Sequence, residues 1–272
     1  KKEVIMTNIL VSSEWVKDHL DDEHLIFFDI RSPREYNNGH LPNSVLIPYE
    51  KILDFSPDTP FFDIADKTTI EQLLGENGVD NDTKIIVYGD KGGSTASRLF
   101  WTLLFYGANV NFLDISYSKW VNLGYPVTTE VYAPGKTTFI ANENPDNFRV
   151  NSDYVLSKIQ DQDTIILDTR SKEEYQGLIA AGPKAGRIPN SKHFPWEKAI
   201  GVDGNIFHTT EELSSIFDNY GLQNKEIICY CQVGERASHT FLALKICGYS
   251  NVKIYDRSFA DWGNNSNMPI EI

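Results

Sequence analysis

Ile227-Ile228-Cys229-Tyr230-Cys231-Gln232-Val233-Gly234-Glu235-Arg236-Ala237-Ser238 is the stretch on which the fold turns. A short apolar run gives way to a loop around one glycine. A helical pattern through Phe241, Leu244 and Ile246 follows, and Gly248 ends it as a left-handed cap would. Strand, tight loop and helix in that order predict an α/β domain with a largely parallel sheet. In such sheets ligands bind beyond the carboxyl ends of the strands. A loop there that feeds a helix turns its backbone N–H groups toward one point and forms an anion nest. Cys231 opens this loop, where nest and helix dipole favour thiolate over thiol, so it is the candidate nucleophile. Gly234 permits the tight curl that a Cβ would obstruct.

Outward from this loop, the chain is written twice. Leu25-Ile26-Phe27-Phe28-Asp29-Ile30-Arg31-Ser32 matches Ile165-Ile166-Leu167-Asp168-Thr169-Arg170-Ser171. Glu35-Tyr36 and Pro42-Asn43-Ser44 match Glu174-Tyr175 and Pro189-Asn190-Ser191. Lys84–Asp90 matches Lys225–Cys231, Gly93 matches Gly234, and Ala96-Ser97 matches Ala237-Ser238. Asp114, Ser116 and Trp120 match Asp256, Ser258 and Trp262. Aligned this way, Asp90 stands at the cysteine position, so the first half lacks the thiol nucleophile. Helix starts are expected at Thr68-Thr69 and Thr209-Thr210. The reading is a domain over 1–130, a linker over 131–148 rich in chain breakers, and a second domain over 149–272.

The loop Cys231-x-x-Gly234-x-Arg236-x-Ser238 resembles the active-site loop of rhodaneses. Asp168-x-Arg170, Glu174-Tyr175 and Arg187-Ile188-Pro189-Asn190-Ser191 resemble the upstream signatures of that family, and Tyr255–Trp262 its C-terminal signature. The duplication resembles the tandem-domain sulfurtransferases, and the Cys231–Thr240 tract is similar to bacterial thiosulfate enzymes. The second half departs in having Arg187 where the first keeps His40, and Gln232 and Val233 where animal members carry basic residues.

The resemblance implies two tandem rhodanese-like domains, each a largely parallel sheet flanked by helices, with a non-catalytic first domain. It implies transfer of a sulfane sulfur from thiosulfate, through a Cys231 persulfide, to a thiophilic acceptor. The acceptor is cyanide or a thiol, a protein or thioredoxin-like thiol included. 3-Mercaptopyruvate is the alternative donor, and a cysteine-based phosphatase or a non-catalytic binding module are the rivals from other classes. Gln232, Val233, Gly234, Glu235 and Arg236 form the loop with Cys231. Arg187 is read as an oxyanion fork for the donor. Arg236 either meets the substrate anion or braces the loop against Asp168 or Glu174. Asp168 and Arg170 read as a supporting pair, Trp196 as lining the site mouth, and Cys229 and Cys247 as packing residues.

Composition narrows the partners. With 25 Lys and Arg against 38 Asp and Glu, the net charge is −13, which disfavours nucleic acid. No apolar stretch is long enough to span a bilayer, and Lys1-Lys2-Glu3-Val4-Ile5-Met6 does not read as a signal peptide. Three cysteines, Cys229, Cys231 and Cys247, suggest neither a disulfide framework nor a zinc site, and fit a reducing, cytoplasmic setting. No metal and no organic cofactor is expected.

Overall fold

The computed structural model describes residues 9–55, 63–143 and 148–272. The amino-terminal reading at residues 1–6 and part of the expected linker, 144–147, lie outside the described residues. The chain divides into two units: Lys1–Asp54, Ile64–Asn144 and Gly201–Phe207 in the first, and Phe55–Asp63, Pro145–Ile200 and His208–Ile272 in the second.

In the first unit the strands are β1 (Leu10–Val11), β2 (Leu25–Asp29), β3 (Ser44–Leu46), β4 (Lys84–Tyr88) and β5 (Asn109–Leu113). They lie in the order β1-β5-β4-β2-β3, and every pairing is parallel. The helices are α1 (Ser13–Asp18), α2 (Pro33–Asn38), α3 (Lys67–Glu76), α4 (Ser94–Phe105) and α5 (Tyr117–Asn122). The second unit holds β6 (Thr164–Asp168), β7 (Lys192–His193), β8 (Glu226–Tyr230) and β9 (Val252–Ile254), ordered β7-β6-β8-β9 and again parallel. Its helices are α6 (Ser152–Lys158), α7 (Lys172–Tyr175), α8 (Thr210–Asp218), α9 (Glu235–Ile246) and α10 (Ser258–Asn264). This is the parallel α/β architecture expected for each half.

The central strands β2, β4, β6 and β8 are mostly apolar, as expected of a parallel sheet covered by helices on both faces. β2 and β8 are buried at all five positions. Trp120 anchors the core of the first unit and Trp262 that of the second, each fully buried. Burying such side chains contributes about 1.5–3 kcal/mol or more apiece.

The twice-written motifs perform the same local work in both units. Ser32 and Ser171 cap α2 and α7, and Glu35 and Glu174 return the bond to close a capping box. Asp29 accepts from the backbone and side chain of Arg31, and Asp168 does the same for Arg170. Each arginine then reaches a loop carbonyl at 2.8 Å, Gly39 for Arg31 and Gly186 for Arg170. Tyr36 and Tyr175 donate to the carbonyls of Ser44 and Ser191 at 2.7 and 2.8 Å.

Two expectations shift. Helix α3 begins one residue ahead of Thr68, because Asp66 rather than a threonine accepts from the Thr69 N–H and caps it. The segment expected as linker, over its described residues up to 143, has no regular secondary structure and packs within the first unit. Phe139 and Ala141 are buried, and Thr137 and Asn142 donate to the carbonyls of Gly75 and Tyr106. Its few apolar side chains are enough to dock it.

Candidate active site

β8 ends at Tyr230, and Cys231 is the next residue, at the carboxyl end of a central strand. The turn from strand to helix takes three residues, Gln232, Val233 and Gly234. Gly234 adopts φ 91°, a left-handed conformation that glycine reaches without strain, and so starts the twelve-residue α9 at once. The Gly234 N–H points back and donates to the Cys231 Sγ at 3.1 Å. The Gly234 carbonyl is held by the Ser238 hydroxyl at 2.8 Å. The first amides of α9 have no intrahelical acceptor and carry the positive end of the helix dipole. The sulfur therefore sits where negative charge is stabilised. Gln232, Val233 and Glu235 are half-buried along the loop, and Cys231 is only 1% exposed.

Arg236 braces this loop. Its two terminal nitrogens bond the two Glu174 oxygens at 2.7 and 2.9 Å, a forked charge-assisted pair. Burial works against the charge on Arg236, but the Glu174 carboxylate and the Cys231 sulfur outweigh it and hold the guanidinium protonated. Of the two roles left open by the sequence, the fork is engaged in the bracing one. Below it, Asp168 and Arg170 are both buried, and the Tyr230 hydroxyl donates to Asp168 at 2.5 Å. A buried ion pair whose lone pairs are this fully satisfied holds a shape. The Arg170 guanidinium also stacks 4.0 Å from the Phe259 ring.

A third support comes from the start of α10. The Ser258 hydroxyl accepts the Cys231 N–H at 3.0 Å and donates to the Tyr255 carbonyl at 2.8 Å. The N–H groups of Phe259 and Ala260 donate to the carbonyls of Cys231 and Gln232, both at 3.0 Å. Ser258, Phe259 and Tyr230 were not singled out from the sequence as site residues. Their place in the Tyr255–Trp262 signature was a signal for the first two, and Ser258 also recurs in the repeat opposite Ser116.

Several assignments change. Arg187 is not a free fork: it pairs with Glu271, lies 4.5 Å over the Tyr175 ring and donates to the Tyr175 carbonyl. The chain end folds back to meet it, Arg187 and Glu271 forming an antiparallel bridge with backbone bonds of 2.9 and 3.0 Å. The guanidinium thus has a carboxylate partner of its own.

The position matching Cys231 is Gly89, not Asp90. Tyr88 lies opposite Asp29 as Tyr230 lies opposite Asp168, and the Tyr117 N–H donates to the Gly89 carbonyl as Phe259 does to Cys231. The first loop carries one more residue before α4. A Cβ built on Gly89 would sit 3.0 Å from Ile30 Cγ2 and 3.3 Å from Ala96 Cβ, so no side chain fits there unless these neighbours give way.

Cys229 is wholly buried in β8, and burial, with the neighbouring Cys231 sulfur, pushes its thiol far up. Cys247 is half-exposed at the end of α9, its Sγ 3.9 Å from the Thr210 carbonyl, rather than in the core. Trp196 is half-buried and meets His239 edge-on at 5.1 Å. Among the described residues no cluster of His, Cys, Asp and Glu could hold a metal ion, and no helix is long and apolar enough to cross a membrane.

The chain is similar to several known proteins. A rhodanese-like domain matches residues 12–123 and again 151–265. A Thermus thermophilus protein named "Sulfur carrier protein TtuD" is 33% identical over 279 residues, covering 96% of each chain. A Mycobacterium leprae protein named "Putative thiosulfate sulfurtransferase" is 30% identical, covering 98% of each chain. Among solved structures, SseA from Escherichia coli, described as a 3-mercaptopyruvate sulfotransferase, superposes with a TM-score of 0.81 at 27% identity, over 93% of this chain and 99% of that one.

Proposed function

The chain belongs to the rhodanese family, and on that premise we propose that it is a sulfurtransferase that carries sulfane sulfur on Cys231, with thiosulfate as donor. One observation carries the reading: the Cys231 Sγ already accepts an N–H at 3.1 Å, at the start of a helix and beside a protonated arginine. In the first step the Cys231 thiolate attacks the outer sulfur of thiosulfate. The new S–S bond forms as the old one breaks, and sulfite leaves with the electron pair. The persulfide anion then lies among the loop N–H groups, which stabilise charge on its terminal sulfur. A nucleophile such as cyanide or a thiol, on a small molecule or a protein, takes that sulfur and restores the thiolate. Every atom and charge balances without metal or organic cofactor.

Thiosulfate as the donor is supported by the names of the relatives and by the loop. A compact dianion suits a nest of N–H groups, and screening at physiological salt removes most of the effect of the −13 net charge beyond about 8 Å. 3-Mercaptopyruvate is the second reading, favoured by the likeness to the Escherichia coli enzyme. We assign catalysis to the second unit alone, since the first has Gly89 where the nucleophile would stand, and the free thiols fit a reducing, cytoplasmic setting. The test is peptide mapping by mass spectrometry after exposure to thiosulfate. Sulfur gained on Cys231, and turnover lost in Cys231→Ser with the fold intact, is expected; persulfide mainly on Cys229 or Cys247 would refute the assignment. Comparing kcat/KM for the two donors with cyanide as acceptor decides between them.

A further inference from the structure

Ser258 has a backbone conformation that its side chain disfavours. Its φ is +56°, whereas the other non-glycine residues at positive φ among the described residues are Asn43, Asn190, Asp203 and Asn224. Asn and Asp tolerate the left-handed region through local hydrogen bonds, but serine gains less there. Ser258 is also wholly buried. A buried, strained residue persists only where its surroundings hold it, and such residues gather at functional sites.

The duplicated chain supplies the control. Ser116 occupies the same place in the first unit, after the same Asp and before the same Trp. It has φ −69° and serves as an ordinary helix cap, accepting from the Lys119 N–H at 3.2 Å. The bond from the next residue to the carbonyl of the nucleophile position occurs in both units, Tyr117 to Gly89 and Phe259 to Cys231. What differs is the serine. In the second unit it leaves the capping role, turns left-handed and places its hydroxyl on the Cys231 N–H. The strained form occurs in the unit that holds the cysteine.

We propose that Ser258 is a positioning residue for Cys231: its left-handed turn spends backbone strain to fix the peptide N–H of the nucleophile, and thereby aims the Sγ into the loop at the Gly234 amide. The hydroxyl is anchored in turn, because it donates to the Tyr255 carbonyl and so presents a lone pair to the Cys231 N–H. That N–H is thus withdrawn from the persulfide, and the cradle is left to the amides that follow. The inference rests on the reading of Cys231 as sulfur carrier. Its alkylation test does not depend on a donor.

The experiment compares Ser258→Gly with Ser258→Ala. Glycine removes the hydroxyl and the strain together; alanine removes the hydroxyl and keeps the strain. A merely structural serine predicts a glycine variant as active as the parent. A positioning serine predicts that alkylation of Cys231 by iodoacetamide, followed by mass spectrometry, slows roughly tenfold or more in both variants, because small misplacements of a reacting atom cost that much. With thiosulfate and cyanide, kcat falls by a similar factor while KM for thiosulfate stays within about twofold. The melting temperature of the glycine variant should stay closer to the parent's than that of the alanine variant. Parental alkylation and kcat in Ser258→Gly would overturn the inference, and so would loss of activity only in step with melting temperature across the two variants. Absence of sulfur on Cys231 of the unaltered protein would instead refute the carrier reading.

Discussion

Replacing Glu174 separates the brace from the chemistry. Glu174 makes two bonds to Arg236, at 2.7 and 2.9 Å, and closes the α7 capping box by accepting the Ser171 N–H at 2.9 Å. Removing one partner of a fully buried pair costs about 3–5 kcal/mol. Here the Arg236 side chain is 23% exposed and the Glu174 side chain 11%, so water reaches the stranded guanidinium and the cost falls to about 2–3 kcal/mol. For a unit of this size that lowers the melting temperature of the second unit by about 5–15 °C. Activity should fall further than stability explains, since Arg236 also faces the Cys231 sulfur. The assay is a double-mutant cycle with Glu174→Ala, Arg236→Ala and the pair, read by thermal melts and by kcat. A coupling of about 1.5–3 kcal/mol is expected, the double variant being little worse than either single. The pH dependence has a definite sign. Burial raises the Glu174 carboxyl, but the Arg236 fork and charge outweigh it and hold it below the ordinary range. The brace is thus complete above the usual glutamate value of about 4.3 and is lost as pH falls through the lower folded value. Additive single variants, or an acid limb unchanged by Glu174→Ala, would refute the reasoning.

Arg187→Ala should cost stability, about 1–2 kcal/mol, through the lost Glu271 pair and the lost stacking on Tyr175, while KM for thiosulfate stays within about twofold. Melting curves and steady-state kinetics check it, and a large rise in KM would return the arginine to the donor site. Gly89→Cys should gain no sulfur from thiosulfate and should lose about 1–3 kcal/mol to crowding against Ile30 and Ala96. Mass spectrometry of that variant, made in a Cys231→Ser background, would reveal a sulfur on residue 89 if the first unit already held a working cradle.

The architecture was legible because the repeat writes local devices whose outcome is local. Ser-x-x-Glu makes a capping box wherever a helix can follow it, and Asp-x-Arg closes on itself within three residues. The Arg236 brace was legible in part, since Glu174 and Arg236 each belong to a motif that fixes its place. The counterpart of Cys231 was not. Counted back from Ala96-Ser97 the match falls on Asp90; counted forward from the strand it falls on Gly89. Two adjacent glycines, Gly92 and Gly93, hide the extra residue, and strand register decides between the counts. The Arg187 pairing was hidden for another reason. Its partner Glu271 lies 84 residues away in sequence, and no local pattern foretells that meeting.

The two units share a scaffold and differ in a few features around Cys231. The parallel sheet, the capped helix after the first long strand, the Asp-x-Arg turn and the left-handed glycine before the central helix recur in both, so they specify the fold and not the chemistry. Three features are found in the second unit at positions where the first has something else. Cys231 replaces Gly89, Arg236 with its Glu174 partner replaces Thr95, and the left-handed Ser258 replaces the helix-capping Ser116. Each acts on the same few atoms: one supplies the sulfur, one fixes the loop from the helix side and one fixes the cysteine from the strand side. A cysteine alone, placed in the first loop, would meet neither brace. On the proposed reading, sulfur transfer rests on a small set of long-range contacts laid over a duplicated scaffold that folds without them.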